Sequence, residues 1–171
     1  MTYKYNAAMR IAHWVIFIAL LAMYIAAYIM TDIDASPLKW EIYGLHKATG
    51  SILLCLVLLR VYFRIKSQIP KYRDPVKPLN KLVSHTNFKL LYICMILMPL
   101  SGVIMSLMGG HPINMYLFTI PAITKDPVIS KFFYTTHVWT SYILIGLFTL
   151  HIAGFLFHLI VEKNNLLKRM V

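Results

Sequence analysis

Histidine is the residue type whose number and spacing in this sequence point most directly to chemistry. The chain contains seven histidines, and imidazole serves proteins as a metal ligand and as a proton carrier. His137 and His151 lie in one long apolar run, 14 residues apart. In an α-helix that spacing brings both rings to one face, about 40° apart around the axis and about 21 Å apart along it. One helix face therefore presents two separated imidazoles.

Four apolar segments are long enough to position such side chains inside a membrane. Three runs contain no Asp, Glu, Lys or Arg: Ile11–Met30, Leu90–Met108 and Phe132–Val161. About 20 helical residues cross a hydrocarbon core. A fourth run, Ala48–Leu59, reaches that length with flanking Lys and Arg, whose side chains extend to the interface. We predict one all-α domain over residues 1–171, an integral membrane four-helix bundle with spans at about 9–30, 43–64, 87–108 and 132–161.

Composition and charge distribution indicate the solvent and the orientation. The chain is 59% hydrophobic and 13% charged, whereas soluble domains are about 25% charged. Four spans put both termini on one side, and that side, with the central loop, holds 13 of the 17 lysines and arginines. The positive-inside rule then places both termini in the cytoplasm, and no cleavable signal peptide is expected. The net charge of +11 indicates topology and contact with anionic lipid, not nucleic-acid binding.

Four of the histidines fall at two matching depths. At about 1.5 Å per residue, His13 lies about 11 Å to the cytoplasmic side of the centre of the first span. His46 lies about 10 Å to the outer side of the centre of the second span. Together these depths match the separation of His137 and His151 on the fourth span. The sequence predicts an outer pair, His46 with His137, and an inner pair, His13 with His151.

Each pair offers two axial nitrogens to a planar macrocycle, and histidine is an ordinary axial ligand of haem iron. Helix bundles hold cofactors between facing helices in this way. A zinc site would need four ligands or an open water position, and neither level adds a carboxylate or a thiolate. We predict two b-type haems stacked across the membrane, with these four histidines binding iron. Nearby small residues such as Gly50 and Gly154 would give room, although they also suit ordinary helix contacts.

Several other residues are expected to have structural roles. Pro99 and Gly102 in the third span should mark a kink and not a site. Cys55 and Cys94 lie in apolar stretches and should be small buried hydrophobes. Two histidines fall at headgroup depth or in a loop: His85 and His111.

Motifs around the four histidines form a joint pattern. They are Ala12-His13-Trp14, Leu45-His46, the pair His137 and His151, and a tail from His158 to Arg169. Together they resemble the bacterial di-haem cytochrome b561 family over nearly the whole chain. The resemblance implies a four-helix bundle of the inner membrane with two b haems that exchange electrons with membrane quinone. It also implies superoxide oxidase activity, with superoxide oxidised to dioxygen at the periplasmic face and ubiquinone reduced.

Polar residues near each predicted haem are candidates for substrate binding. His158, Lys163 and Asn164 could bind quinone oxygens near the inner pair, and His158 could relay protons. The alternative is that this helix end only contacts lipid headgroups. At the outer face Lys47 and Lys131 could attract the superoxide anion, or Lys47 could pair with a haem propionate. Two arginines could serve inner propionates or lipid phosphates: Arg60 and Arg64.

Other functions stay open on sequence alone. The chain could be a cytochrome b electron-transfer subunit that links quinone to a partner redox protein. It could also be a haem or redox sensor, or a haem-storage protein, without turnover. A transporter or channel fits less well, because the in-membrane histidines pair by depth and do not line one route.

Overall fold

The computed structural model describes residues 4–68, 70 and 77–171. Among these residues are four long helices, α1 to α4, and a short hairpin of two strands, β1 and β2. Three charged residues counted in the predicted topology, Lys71, Arg73 and Asp74, lie outside the described residues. The bounds are α1 Ala7–Asp32, α2 Pro37–Lys66, α3 Pro78–Met108, β1 Ile113–Asn114, β2 Thr119–Ile120 and α4 Pro127–Ile160, followed by a 3₁₀ turn at Leu166–Arg169.

The helices begin where capping side chains and prolines favour a helix start. The side chains of Asn6, Ser36 and Asp126 accept hydrogen bonds from first-turn backbone N–H groups of α1, α2 and α4. Proline stands at the start of α2, α3 and α4, where its fixed φ suits a helix and its missing N–H costs nothing. These signals precede the apolar runs, so α2, α3 and α4 begin before the predicted spans.

The packing of the four helices leaves a gap on one side of the bundle. The backbones of α1 and α2, of α2 and α3, and of α3 and α4 approach within 8 Å, measured between Cα atoms. Within the described residues, no Cα of α4 comes within 8 Å of a Cα of α1 or α2. Only side chains bridge this gap. Two buried apolar clusters lie in the bundle, and side chains of α1 also pack on the second: Ile16, Met23, Leu53 and Val57 in one, Leu91, Cys94 and Leu144 in the other.

Both termini lie at the same end of the bundle. The backbone N–H of Tyr5 donates to the carbonyl of Arg169 at 3.0 Å. The indole N–H of Trp14 donates to the carbonyl of Met170 at 3.1 Å. The opposite end carries the turn between α1 and α2 and the hairpin, where Ile113 is buried. The short strands were not predicted; within the described residues they form a two-stranded sheet of their own, so the all-α class is unchanged.

The outer surface of the bundle is apolar. Large side chains such as Ile18, Ile93 and Ile143 are more than half exposed there, and all four helices are long and apolar enough to cross a membrane. Cys94 is buried as predicted, but Cys55 is exposed on this surface. The prediction was wrong for Cys55 because an apolar run does not tell a core face from a lipid face, and a thiol is apolar enough for either.

Candidate functional site

His46 on α2 and His137 on α4 face each other across the gap. Their ring centroids are 6.4 Å apart and the rings are inclined by 79°. His46 is 9% exposed, and its Nδ1 has no hydrogen-bond partner in the described part of the chain. Since α2 begins at the end opposite to the termini, this pair lies in that half of the bundle.

His13 on α1 and His151 on α4 form a second pair with nearly the same geometry. Their ring centroids are 6.3 Å apart and the rings are inclined by 71°. Aromatic side chains surround them: Phe88 lies 5.5 Å from His151 and Trp14 lies 5.4 Å from His13, between centroids. This pair lies in the half of the bundle that carries the termini. The structure thus brings the histidines together in the predicted combinations.

Both separations suit a metal ion held between the two rings. A metal–imidazole bond is about 2.0 Å long, so rings on opposite sides of one ion have centroids about 6 Å apart. Each pair supplies only two protein ligands, since the described residues contain no cluster of three or more His, Cys, Asp or Glu side chains that could hold a metal. A porphyrin supplies the remaining ligands itself. The gap between α4 and the α1–α2 pair suits a flat group, so these histidines fit haem and stay the candidate ligands.

Helix α3 holds the ring of His137 in place. Nδ1 of His137 lies 2.7 Å from the carbonyl oxygen of Met98, so Nδ1 carries the proton and donates it, and Nε2 keeps a lone pair for a metal. The Ser101 hydroxyl donates to the same carbonyl at 2.8 Å. A Cβ at Gly102 would lie 3.0 Å from Cε1 of His137. Gly102 therefore makes room for His137 and belongs to the site, contrary to the expectation of a kink alone.

A narrow cavity adjoins the His46–His137 pair. Met23, Gly50 and Gly102 are among the residues that line it. A Cβ at Gly50 would meet Cε of Met23 at 3.3 Å, the end of a flexible side chain that can move aside. Near the other pair, nothing lies within 4 Å of the position that a Cβ would take at Gly154. These small residues leave space beside both histidine pairs.

Arg60 lies in the interior beside His13. It is 6% exposed, and its Nη1 donates to the carbonyl of Met9 at 2.6 Å. Its Nη2 lies 3.3 Å from Nδ1 of His13. One turn further along α2, Nη1 of Arg64 donates to the hydroxyl of Tyr5 at 3.1 Å. A buried guanidinium is out of reach of lipid phosphates, so that one of the two predicted roles does not suit Arg60.

Aromatic and apolar side chains fill the space between the two pairs. Phe17 on α1 stacks on Phe148 on α4, with centroids 5.8 Å apart and the rings inclined by 24°. The Tyr24 hydroxyl donates to the carbonyl of Ser141 at 2.8 Å, and Leu144 is 2% exposed. These contacts cross the gap between α1 and α4 and leave little room for water between the pairs.

His158 is buried near the end of α4 and has an acidic partner. It is 6% exposed, and its Nδ1 lies 2.6 Å from Oε2 of Glu162. The side-chain amide of Asn80 on α3 donates to Oε1 of Glu162 at 2.8 Å. Neither Glu162 nor Asn80 was predicted. Helical spacing of four residues between His158 and Glu162 was a usable signal, whereas the contact with Asn80 depends on how α3 packs against α4.

The turn after α4 brings Lys163 and Asn164 close to His158. The backbone N–H of Asn164 donates to the carbonyl of His158 at 2.8 Å. Lys163 has a φ of 52°, a left-handed conformation that commonly ends helices, and its side chain is exposed. The predicted trio therefore meets through backbone folding, and among the three only the His158 side chain is buried.

The two lysines predicted to attract superoxide lie at the end of the bundle opposite to the termini. Lys47 follows His46 directly, and its Nζ donates to the carbonyl of Pro112 at 3.1 Å, which ties α2 to the loop before β1. Lys131 is exposed near the start of α4. The two histidines excluded on depth are also exposed: His85 and His111.

Facing histidine pairs inside a four-helix membrane bundle define a class of protein, the membrane cytochromes that hold b-type haem. Residues 4–171 match the prokaryotic cytochrome b561 family, and the chain belongs to this family. One relative, cytochrome b561 homolog 2 of Escherichia coli (strain K12), is 28% identical over 129 residues, which cover 74% of this chain and 69% of the relative. The protein is thus a b-type cytochrome for electron transfer and a multi-pass protein of the bacterial inner membrane, which confirms the predicted family, fold class and location.

Proposed function

We propose that the protein binds two b haems, one between each histidine pair, and carries electrons from superoxide to ubiquinone. The observation that carries this proposal is the matched separation of the ring centroids, 6.4 Å for His46 and His137 and 6.3 Å for His13 and His151. Bound haem would supply one-electron redox chemistry. Two superoxide anions would become two dioxygen molecules, and one ubiquinone would take up two electrons and two protons to become ubiquinol.

In the proposed orientation both termini face the cytoplasm. This follows from the positive-inside rule, since 13 of the 17 lysines and arginines belong to the side that carries the termini. The His46–His137 pair then lies on the periplasmic side, where superoxide would arrive. The His13–His151 pair lies on the cytoplasmic side, close to His158. Phe17, Phe148 and their neighbours would keep water from the space between the pairs.

The periplasmic end offers two exposed lysines to an arriving anion, Lys125 and Lys131. The Lys131 ammonium is free to attract superoxide from solution, whereas that of Lys47 is held by the Pro112 carbonyl. Attraction by an exposed charge weakens as salt is added. We expect Lys131→Gln to lower the rate of haem reduction by superoxide at low salt. Lys39→Gln is the matched control and should change this rate less, because the Lys39 ammonium is held by the Ile33 carbonyl at 2.7 Å. A rate of haem reduction that does not depend on salt would contradict electrostatic attraction of superoxide.

At the cytoplasmic end, His158 is the proposed proton donor to a quinone oxygen. Its Nδ1 contacts Glu162, so Nε2 is the nitrogen available to a substrate, and Asn80 fixes the carboxylate. A carboxylate on one imidazole nitrogen orients the ring and supports proton transfer at the other. We expect His158→Ala to slow quinone reduction about 10²-fold with both haems retained, and Glu162→Gln to slow it less. Lys168→Gln, an exposed change nearby, should leave the rate unaltered.

The first experiment is a haem count and a reduced-minus-oxidised spectrum of the purified protein, with superoxide tried as reductant and ubiquinone as oxidant. Two b haems per chain, reduced by superoxide and reoxidised by quinone, would support the whole proposal. Two haems that do not react with superoxide would favour an electron-transfer protein and exclude superoxide oxidase activity. One haem or none would contradict the assignment of the two pairs.

A second candidate function is that of a cytochrome subunit serving a partner redox protein. The observation that favours it is the hairpin turn at the periplasmic end, where Tyr116, Leu117 and Phe118 are 66%, 94% and 61% exposed. Large apolar side chains clustered outside the membrane spans commonly mark a contact surface. Co-purification of a redox protein that is lost on changing Leu117 to Ser, together with inactivity towards superoxide, would select this function.

A further inference from the structure

The two histidine pairs differ in the group that contacts Nδ1 of one ring in each pair. Nδ1 of His137 donates to the Met98 carbonyl at 2.7 Å. Nδ1 of His13 has the guanidinium of Arg60 at 3.3 Å instead. A guanidinium carries only donors, so it offers His13 no acceptor. One ring therefore faces a carbonyl dipole and the other faces a positive charge.

The charge of Arg60 is buried, and no carboxylate of the described residues pairs with it. Arg60 is 6% exposed, and within the described ranges no carboxylate oxygen lies within 4.0 Å of it, the His158–Glu162 pair being the ion pair found there. Its neighbours are the Met9 carbonyl, the His13 ring and the Tyr92 hydroxyl, all of them uncharged. Burying such a charge is costly, and low surrounding polarity makes its field strong at short range. Lys47 lines the cavity at the other pair, but its ammonium is held by the Pro112 carbonyl, whereas the Arg60 guanidinium lies against a histidine ring. The two sites are therefore electrostatically unequal.

We infer that Arg60 makes the His13–His151 site the one of higher reduction potential, and that the Met98 carbonyl makes the His46–His137 site the lower one. A fixed positive charge stabilises the form of a nearby centre that holds the extra electron. A ring that donates a proton to a carbonyl becomes a stronger electron donor to its metal, which stabilises the oxidised form. The inference rests on the two-haem arrangement proposed above.

This difference sets a direction for electron transfer along α4. Electrons move spontaneously from the centre of lower potential to the centre of higher potential. They would therefore run from the pair at the hairpin end, next to Lys47, to the pair at the end that carries the termini, next to His158. Arg60 acts here through its charge and not by binding iron, so it is a positioning residue of the second site.

The test is a spectroelectrochemical titration of the full-length holoprotein with haem quantified per chain. The wild type should show two one-electron steps. Arg60→Gln should lower the midpoint of the upper step and leave the lower step in place. Arg60→Lys, which keeps the charge, should restore most of the difference. Lys66→Gln is the matched control, because Lys66 lies on the same helix and its side chain is exposed.

A second variant keeps the inference testable if Arg60→Gln loses haem. His13→Met would place a thioether on the metal, and methionine ligation raises haem potentials. The step whose midpoint potential rises in this variant belongs to the His13–His151 site. The inference requires that step to be the one of higher potential in the wild type. Movement of the lower step, or an equal shift of both steps in Arg60→Gln, would overturn it. A wild type with one haem per chain would instead remove the two-haem arrangement itself.

Discussion

At the scale of single residues, an absent side chain matters as much as the histidines. Gly102 allows the His137 ring to lie against the α3 backbone, where its Nδ1 reaches the Met98 carbonyl. With Nδ1 occupied by this carbonyl, Nε2 is the nitrogen left for a metal. The His46–His137 site therefore depends on contact between the His137 ring and the α3 backbone at Gly102, where no side chain intervenes.

Gly102→Ala should disrupt this site selectively. The new Cβ would lie 3.0 Å from the His137 ring, and relieving that contact by moving the ring or helix costs about 2 kcal/mol. We expect the variant to lose the haem of the His46–His137 pair and to keep the other, as measured by haem content per chain. Gly146→Ala, at an exposed glycine with nothing within 4 Å, should keep both; equal haem loss in the two variants would contradict this role for Gly102.

Histidine positions were predictable from sequence because helix geometry converts spacing into depth and direction. The partners of these histidines were not. Met98 contributes a backbone carbonyl, which every residue has, so no residue type marks it. Arg60 near the end of an apolar run reads equally well as a lipid-facing cation, and only the packing of α1 against α2 shows that it is buried.

At the scale of the helices, α4 depends on its first turn. Asp126 accepts hydrogen bonds from the N–H groups of Val128 and Ile129, each at 3.0 Å. α4 carries His137 and His151 and packs closely against one helix, α3. A start that frays would therefore loosen the helix that contributes to both pairs.

Asp126→Ala should lower the stability of the detergent-solubilised protein by about 1 kcal/mol, the usual cost of losing a helix cap. The measurement is thermal unfolding followed by loss of helical circular dichroism. Asp126→Asn should behave like the wild type, because asparagine caps a helix equally well. A loss of equal size in both variants would show that the charge matters and not the cap.

Hydropathy predicted that four helices exist but underestimated their lengths. The apolar runs report the part of each helix that needs lipid, whereas Pro37, Pro78 and Pro127 place the actual starts in polar segments. The strands at 113–114 and 119–120 escaped prediction because two residues are too few to show an alternating pattern.

At the scale of the whole molecule, the proposed function depends on orientation. The uneven charge predicts the termini inside, and superoxide chemistry requires the His46–His137 end outside. Neutral replacement of Lys131 or Lys168 by cysteine, in a chain with Cys55 and Cys94 changed to alanine, provides exposed reporters at opposite ends.

We expect a membrane-impermeant maleimide to label Lys131→Cys in intact spheroplasts. Lys168→Cys should be labelled only after the membrane is permeabilised. The positive-inside rule is the physical reason, since positively charged loops are retained in the cytoplasm. The reverse labelling pattern would invert the proposed direction of electron transfer relative to the cell.

The gap between α4 and the α1–α2 pair also has a consequence for biogenesis. α4 follows α3 in the chain and can enter the membrane as a hairpin with it, whereas side-chain contacts, such as Phe17 with Phe148, hold it to α1. Insertion of α4 into the membrane and its packing against α1 and α2 are therefore separate events. We expect the second event to require haem. Cells starved of haem should accumulate an open bundle that membrane proteases degrade, so the half-life of the chain would report haem availability.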